Sequence, residues 1–180
     1  MDEYQIMFES IYNVPEDIEE IKNYLKEYKA PDFKFNKIVF LGTGGGSRAA
    51  FDIISTYLFD KSLYPIFIYQ GYEIPQFIDK DTFVIACSYS GETEETISSL
   101  EKSIKKTDKI IIFSSNGKLE KISNEKKFPF IKLKKGYEAR QALHIIFFSI
   151  ILVLEKFLKL DFSNDIDEVI KILKIEREKN

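Results

Sequence analysis

Short apolar, β-branched stretches punctuate the chain at Lys37–Leu41, Pro65–Tyr69, Thr82–Ser88, Lys109–Ser114 and Phe128–Leu133. Each is too short for a helix and most run into turn-forming residues, so the pattern predicts five strands. Between them, helical spacing covers Arg48–Phe59, Thr93–Lys106, a shorter piece at Leu119–Asn124 and the long Glu138–Phe157. Strands that are apolar almost throughout, alternating with helices, imply a parallel sheet covered on both faces. The expected fold is therefore α/β, a three-layer α/β/α sandwich around a five-stranded parallel sheet. Ahead of it, Pro15–Lys29 is amphipathic, with Ile18, Ile21, Tyr24 and Leu25 on one side, and Asn164–Lys179 repeats that character at the other end. The resulting division is a helical extension over 1–36, the α/β domain over 37–158 and a C-terminal helix over 159–180, with Ala30–Phe33 as linker.

Length and charge narrow the function classes. A chain of 180 residues fits one core with helical flanks and leaves no room for a second catalytic domain. Hydrophobic residues make up 44%, enough to exclude general disorder. A formal net charge of -3, with lysines interspersed among acids, gives no basic field for nucleic acid. The single cysteine, Cys87, has no intrachain partner and sits in an apolar run, which fits a reducing cytoplasm. Met1–Ser10 carries acids where a secretory leader has bases. The most apolar run, Ile145–Leu154, falls well short of the roughly 18 residues a membrane span needs, so it reads as buried helix or subunit interface.

Ligands of open parallel sheets bind beyond the carboxyl ends of the strands, and three of the loops expected there carry unusual chemistry. After the first strand, Gly42-Thr43-Gly44-Gly45-Gly46-Ser47 lets backbone approach a ligand, or makes a tight turn with Ser47 capping the next helix. It does not satisfy the dinucleotide fingerprint, because Ser47 stands where that pattern has its last glycine. After the third strand, Ser88-Tyr89-Ser90-Gly91-Glu92-Thr93 sets three hydroxyls and a glycine at the mouth of a helix. Small donors, amides of the first turn and the positive end of the helix dipole suit a phosphate; the alternative is that Ser90 or Thr93 caps the helix. Phosphate binding also requires Glu92, Glu94 and Glu95 to point away. After the fifth strand, Glu138 and Arg140 open an apolar helix, where a lone arginine needs an anion, either substrate oxygens or a structural acid. Glu138 is a proton-transfer carboxylate or a dipole partner. His144, one turn beyond Arg140, lies within range of the site or in the core.

These loops resemble the sugar isomerase (SIS) family, and within it the N-terminal half of the archaeal-type bifunctional phosphoglucose/phosphomannose isomerases. The resemblance rests on Gly45-Gly46-Ser47, on Ser88-Tyr89-Ser90-Gly91-Glu92-Thr93-Glu94-Glu95-Thr96 and on Arg140-Gln141-Ala142-Leu143. It implies Ser88, Ser90, Gly91 and Thr93 around a sugar phosphate, Gly45, Gly46 and Ser47 along the sugar, and Arg140 steadying the enediolate of an aldose–ketose interconversion. The family's glutamate base and ring-opening histidine lie in a second half downstream, so neither carries over; Glu138 and His144 are the local candidates. Ala139 replaces the family's proline before the arginine. No metal or organic cofactor is implied. The expected partners are a sugar phosphate and a second copy of the chain through helix 138–157, giving an oligomeric isomerase; the alternative is a non-catalytic phosphosugar-binding module or an isolated half of a two-domain enzyme.

Overall fold

The computed structural model describes residues 3–179; Met1 and Asp2 of the stretch weighed as a leader, and the terminal Asn180, lie outside the described residues. Five strands form one parallel sheet: β1 (Lys37–Leu41), β2 (Ile66–Tyr69), β3 (Thr82–Cys87), β4 (Ile110–Ser114) and β5 (Phe130–Lys132), in the order β2-β1-β3-β4-β5. Among the described residues seven helices accompany them: α1 (Glu3–Tyr12), α2 (Val14–Lys26), α3 (Gly45–Tyr57), α4 (Glu94–Ser103), α5 (Gly117–Lys126), α6 (Leu143–Leu158) and α7 (Ser163–Arg177). Contacts divide the chain into two compact units, one running from Pro31 to Phe147 and the other made of the residues up to Ala30 together with those from Phe148 onward.

The first of these units holds the sheet. β3 and β4 are buried at every position, which is why both read as unbroken apolar runs. Alternate residues serve opposite faces. Val39, Leu41, Val84, Ala86, Ile110 and Ile112 pack with Ile97 and Leu100 of α4 and with Leu119 and Ile122 of α5. On the other face the Phe40 ring stacks on Phe51 of α3, with centroids 4.7 Å apart. The sandwich expected from the pattern is thus present, and its order reverses between β1 and β3. Chains leaving β1 turn one way to β2 and those leaving β3 turn the other way to β4, which opens a crevice at that point beyond the strand ends.

Element ends shift for local reasons. β5 starts two residues later than predicted because Lys127, at φ 61°, ends α5 and Pro129 has no N–H for the ladder; its carbonyl accepts from Ile112 N at 3.0 Å. α3 begins at Gly45, ahead of the predicted Arg48, because Gly44 at φ 101° turns the chain and Arg48 N donates to its carbonyl. α6 begins at Leu143, five residues after Glu138, with consequences for the site below.

In the second unit α2 carries Pro15 in its first turn, where a missing N–H costs nothing, with Glu16 and Asp17 toward its positive end. Ile18, Ile21 and Leu25 are buried as expected, whereas Tyr24 is 55% exposed. At about 100° per residue it falls past Ile21, off the apolar stripe. Arg177 of α7 makes a two-pronged pair with Glu16 at 2.7 and 2.9 Å, Lys174 pairs with Glu19 at 2.6 Å, and Lys22 pairs with Asp167. No described helix is long and apolar enough to cross a membrane.

Candidate functional site

The turn after β3 stands at the crevice where the strand order reverses. Ser88 N still donates to Phe113 O at 3.2 Å, so the ladder holds the chain through Ser88 before it bends. The bend closes when Gly91 N donates to the Ser88 carbonyl and to Ser88 Oγ, at 3.1 and 3.2 Å. Ser88 Oγ lies 2.8 Å from Thr93 Oγ1 and 3.4 Å from Ser90 Oγ, so the three hydroxyls gather at one point. Ser90 Oγ also accepts from Glu92 N at 3.3 Å. Ser88 is buried beneath the turn, Thr93 is half-buried and Ser90 is exposed. Ser90 and Thr93 therefore present the accessible hydroxyls, and Ser88 organises them from below.

Thr93 occupies the N-cap position of α4, yet its side chain makes no capping hydrogen bond. Capping was the bland explanation for a hydroxyl here, and the geometry does not use it so. The orphan N–H groups at the start of a ten-residue helix stand beside three hydroxyls. Gly91 has its own structural reason. It sits at φ 73°, and a Cβ there would lie 1.8 Å from Asn116 O and 2.6 Å from Ser114 Oγ. The turn is thereby pressed onto the β4–α5 turn and bonded to it, with Leu119 N donating to Gly91 O at 3.1 Å, and Ser115 N and Oγ to Tyr89 O at 3.0 and 2.7 Å.

Two of the acids next to this turn have partners outside it. Glu92 Oε1 accepts from Lys118 N at 2.9 Å, placing its charge at the positive end of α5. Glu94 and Glu95 stand near Tyr72 of the β2–β3 connection; Tyr72 Oη is 3.5 Å from Glu94 Oε2, and the charge of Glu95, then partial burial and the charge of Glu94, push the Tyr72 phenol above its usual range.

The β1–α3 loop divides by residue. Gly42 allows close packing, since a Cβ would meet Cys87 O and the Phe51 ring at 2.7 Å. Gly45 is exposed and faces open space. Gly46 is buried, with room for no Cβ because Ala139 O would lie 2.6 Å away. Ser47 does not cap α3, which starts two residues earlier with Gly44 as its cap position; its buried hydroxyl donates to Cys87 Sγ at 3.6 Å. Burial pushes the Cys87 thiol up to about 12, so it is protonated and inert as a nucleophile at neutral pH. Sequence reasoning passed over Thr43, whose Oγ1 is buried with no hydrogen-bond partner among the described residues. Thr43 and Ser88 each follow the last registered pair of β1 and β3, Leu41 and Ala86, by two residues. A polar residue within a glycine run was the available signal.

Arg140 and Glu138 do not open a helix. Both are exposed on the β5–α6 connection, where Gln141 N and Ala142 N donate to Glu138 O at 2.8 and 3.1 Å and Gln141 Oε1 accepts from Glu138 N at 3.1 Å. Arg140 is exposed, so the premise of a buried arginine at the entry of a helix does not hold for it. Nor does it share a helix face with His144, which lies in the first turn of α6 with its ring edge-on to Tyr137 at 5.3 Å. This connection still adjoins both other loops, at Gly46 against Ala139 and through the Tyr89 hydroxyl, which donates to Lys134 O at 2.8 Å and accepts from Tyr137 N at 3.1 Å. Among the described residues no cluster of histidine, cysteine and carboxylates is grouped to hold a metal ion.

No family model matches the sequence. The bifunctional phosphoglucose/phosphomannose isomerase of Caldicellulosiruptor bescii is 34% identical over 178 residues, covering 96% of this chain and 52% of that one. The enzyme of the same description from Aquifex aeolicus is 35% identical over 144 residues, 79% of this chain and 42% of its own. The chain thus spans about half the length of the curated relatives it matches. Among solved structures, a Clostridium difficile protein described as a phosphosugar isomerase superposes with TM-score 0.71 at 19% identity over 97% of this chain and 52% of its own. A Methanococcus jannaschii protein, inferred to be a 3-hexulose-6-phosphate isomerase, gives 0.53 at 18% identity over 91% of this chain and 94% of its own. The chain is thus similar in sequence to the N-terminal half of the bifunctional phosphoglucose/phosphomannose isomerases and has the fold of solved phosphosugar isomerases.

Proposed function

We propose that the chain binds a phosphorylated sugar at the crevice between β1 and β3 and serves as one half of an aldose–ketose sugar-phosphate isomerase. The phosphate sits on Ser90, Thr93 and the first amides of α4, with Ser88 behind them. The sugar extends toward Thr43 and Gly45, with Gly46 and Ser47 shaping that wall from within. The observation that carries this reading is the unused cap: the Thr93 hydroxyl turns from the α4 amides to Ser88 Oγ, which also lies near Ser90 Oγ, leaving donors and dipole together at one exposed point.

Arg140 is the candidate for steadying the negative oxygen of the enediolate, as a full charge held beside developing charge. Moving a proton between the two carbons needs a base in reach of both. Glu138, exposed on the same connection as Arg140, and His144, beside Tyr137, are the local candidates, and a second SIS half is the other source. Isomerisation is a proton transfer, so the reading asks for no metal or organic cofactor. Phosphorylated sugars are charged and stay within the cell, which supports a cytoplasmic setting. Assembly into a dimer has different support than the helix 138–157 suggested. Ile145, Ile146, Ile150, Val153 and Leu154 of α6 are already buried within one chain, whereas Phe59 is 89% exposed and Leu63 95%.

The second reading is a non-catalytic phosphosugar-binding half, since the hydroxyl turn supplies anion donors while no catalytic base is placed beside it among the described residues. Binding is tested first. Hexose 6-phosphates at about a hundred times their Kd should raise Tm by about 5 °C or more, and the pair Ser90→Ala with Thr93→Ala should erase that rise; a melt unmoved by any phosphosugar rejects the site. Turnover is then tested in coupled assays with fructose 6-phosphate, mannose 6-phosphate and hexulose 6-phosphate, and Arg140→Ala should abolish it. Binding without turnover on every substrate selects the second reading.

A further inference from the structure

Tyr89 lies between the two serines of the candidate phosphate turn, yet its side chain leaves that turn and is 8% exposed. A buried phenol needs a partner for its hydroxyl. That of Tyr89 meets two backbone groups of one other loop: Oη donates to Lys134 O at 2.8 Å and accepts from Tyr137 N at 3.1 Å. Its own carbonyl accepts twice from Ser115, which fixes the residue at its other end. The loop it grips lies largely at the surface. Lys135, Gly136, Glu138, Ala139 and Arg140 are exposed, and Gly136 sits at φ 106°. Tyr137 in turn meets the His144 ring, so the same grip reaches the start of α6.

We propose that Tyr89 is a positioning residue that sets the Arg140 loop relative to the phosphate turn. It touches neither the phosphate nor the sugar. Its two hydrogen bonds hold the sugar side of the pocket at a fixed distance from the anion side. The inference rests on the reading of Ser88–Thr93 as the phosphate site, and it predicts a division of labour that a merely structural tyrosine lacks. Removing the hydroxyl should loosen recognition of the sugar and leave recognition of the phosphate.

Tyr89→Phe keeps the ring and deletes both bonds. Calorimetric titration should show glucose 6-phosphate or fructose 6-phosphate binding about tenfold weaker, with inorganic phosphate changed less than about twofold. Hydrogen exchange should quicken about tenfold across 134–142 with β3 and β4 unmoved. Equal loss for both ligands, or exchange that rises through the whole sheet, assigns Tyr89 to general stability and overturns the inference. So does a variant indistinguishable from wild type. If Tyr89→Phe does not fold, wild-type exchange decides instead: a hexose phosphate should protect 134–142 and 88–93 together, and protection confined to 88–93 would refute the coupling. A wild-type chain that binds no hexose phosphate removes the underlying reading, and the exchange of the variant still shows whether Tyr89 holds the loop.

Discussion

An alanine at position 91 would combine a left-handed φ of 73° with a Cβ 1.8 Å from Asn116 O, a backbone atom with nowhere to go. Gly91→Ala should therefore cost about 2–4 kcal/mol, seen as a lower urea midpoint. Gly45→Ala is the contrast within the same candidate site, because its Cβ would meet nothing within 4 Å. Stability should stay within about 0.5 kcal/mol of wild type, while hexose-phosphate affinity falls if that open face is where the sugar lies. Cys87 allows a third test at this scale. Burial raises its thiol to about 12, so the thiolate is scarce at neutral pH. Thiol reagents should modify it only after denaturation, and prompt stoichiometric labelling of the native chain would show that β3 opens at its carboxyl end.

Between elements, the β3–α4 turn and the β4–α5 turn act as one unit, and Glu92 is their charged link. Glu92→Ala removes the acceptor of Lys118 N and should cost about 1 kcal/mol in chemical denaturation. Inorganic phosphate affinity should change little; a marked tightening would mean that the carboxylate faces the anion site rather than α5. Such cross-element ties were the part of the site hidden in the sequence. β3 and β4 were legible because burial on both faces writes an unbroken apolar run, and the hydroxyl turn was legible because Ser88, Ser90 and Thr93 cluster at a strand-to-helix switch. The start of α6 was not. Ala139, Arg140, Gln141 and Ala142 all favour helix, so propensity ran the element back to Glu138, whereas Gln141 closes a separate turn there. Ser47 misled in the opposite way, as a good cap type placed inside the helix and spent on Cys87. The roles of Tyr89 and Gly46 depend on which loops adjoin across the sheet, and strand order cannot be read from local pattern.

For the molecule as a whole, the proposed isomerase reading turns on where the catalytic base comes from. The bifunctional relatives carry about as much chain again, yet the M. jannaschii neighbour has the same fold at nearly this length. A one-domain chain that supplies Arg140 but no base within its own pocket would need a second subunit to bring one. Completion across subunits makes activity a consequence of assembly, and assembly follows mass action. Turnover per chain should then rise with protein concentration and level off where sedimentation shows the dimer filled, while hexose-phosphate binding, confined to one subunit, should not vary. Replacing the exposed Phe59 and Leu63 by serine should move both curves to higher concentration together if that surface forms the contact. Activity per chain that is constant over the dissociation range would place the base within one chain, at Glu138 or His144, and separate single variants of those two would decide between them.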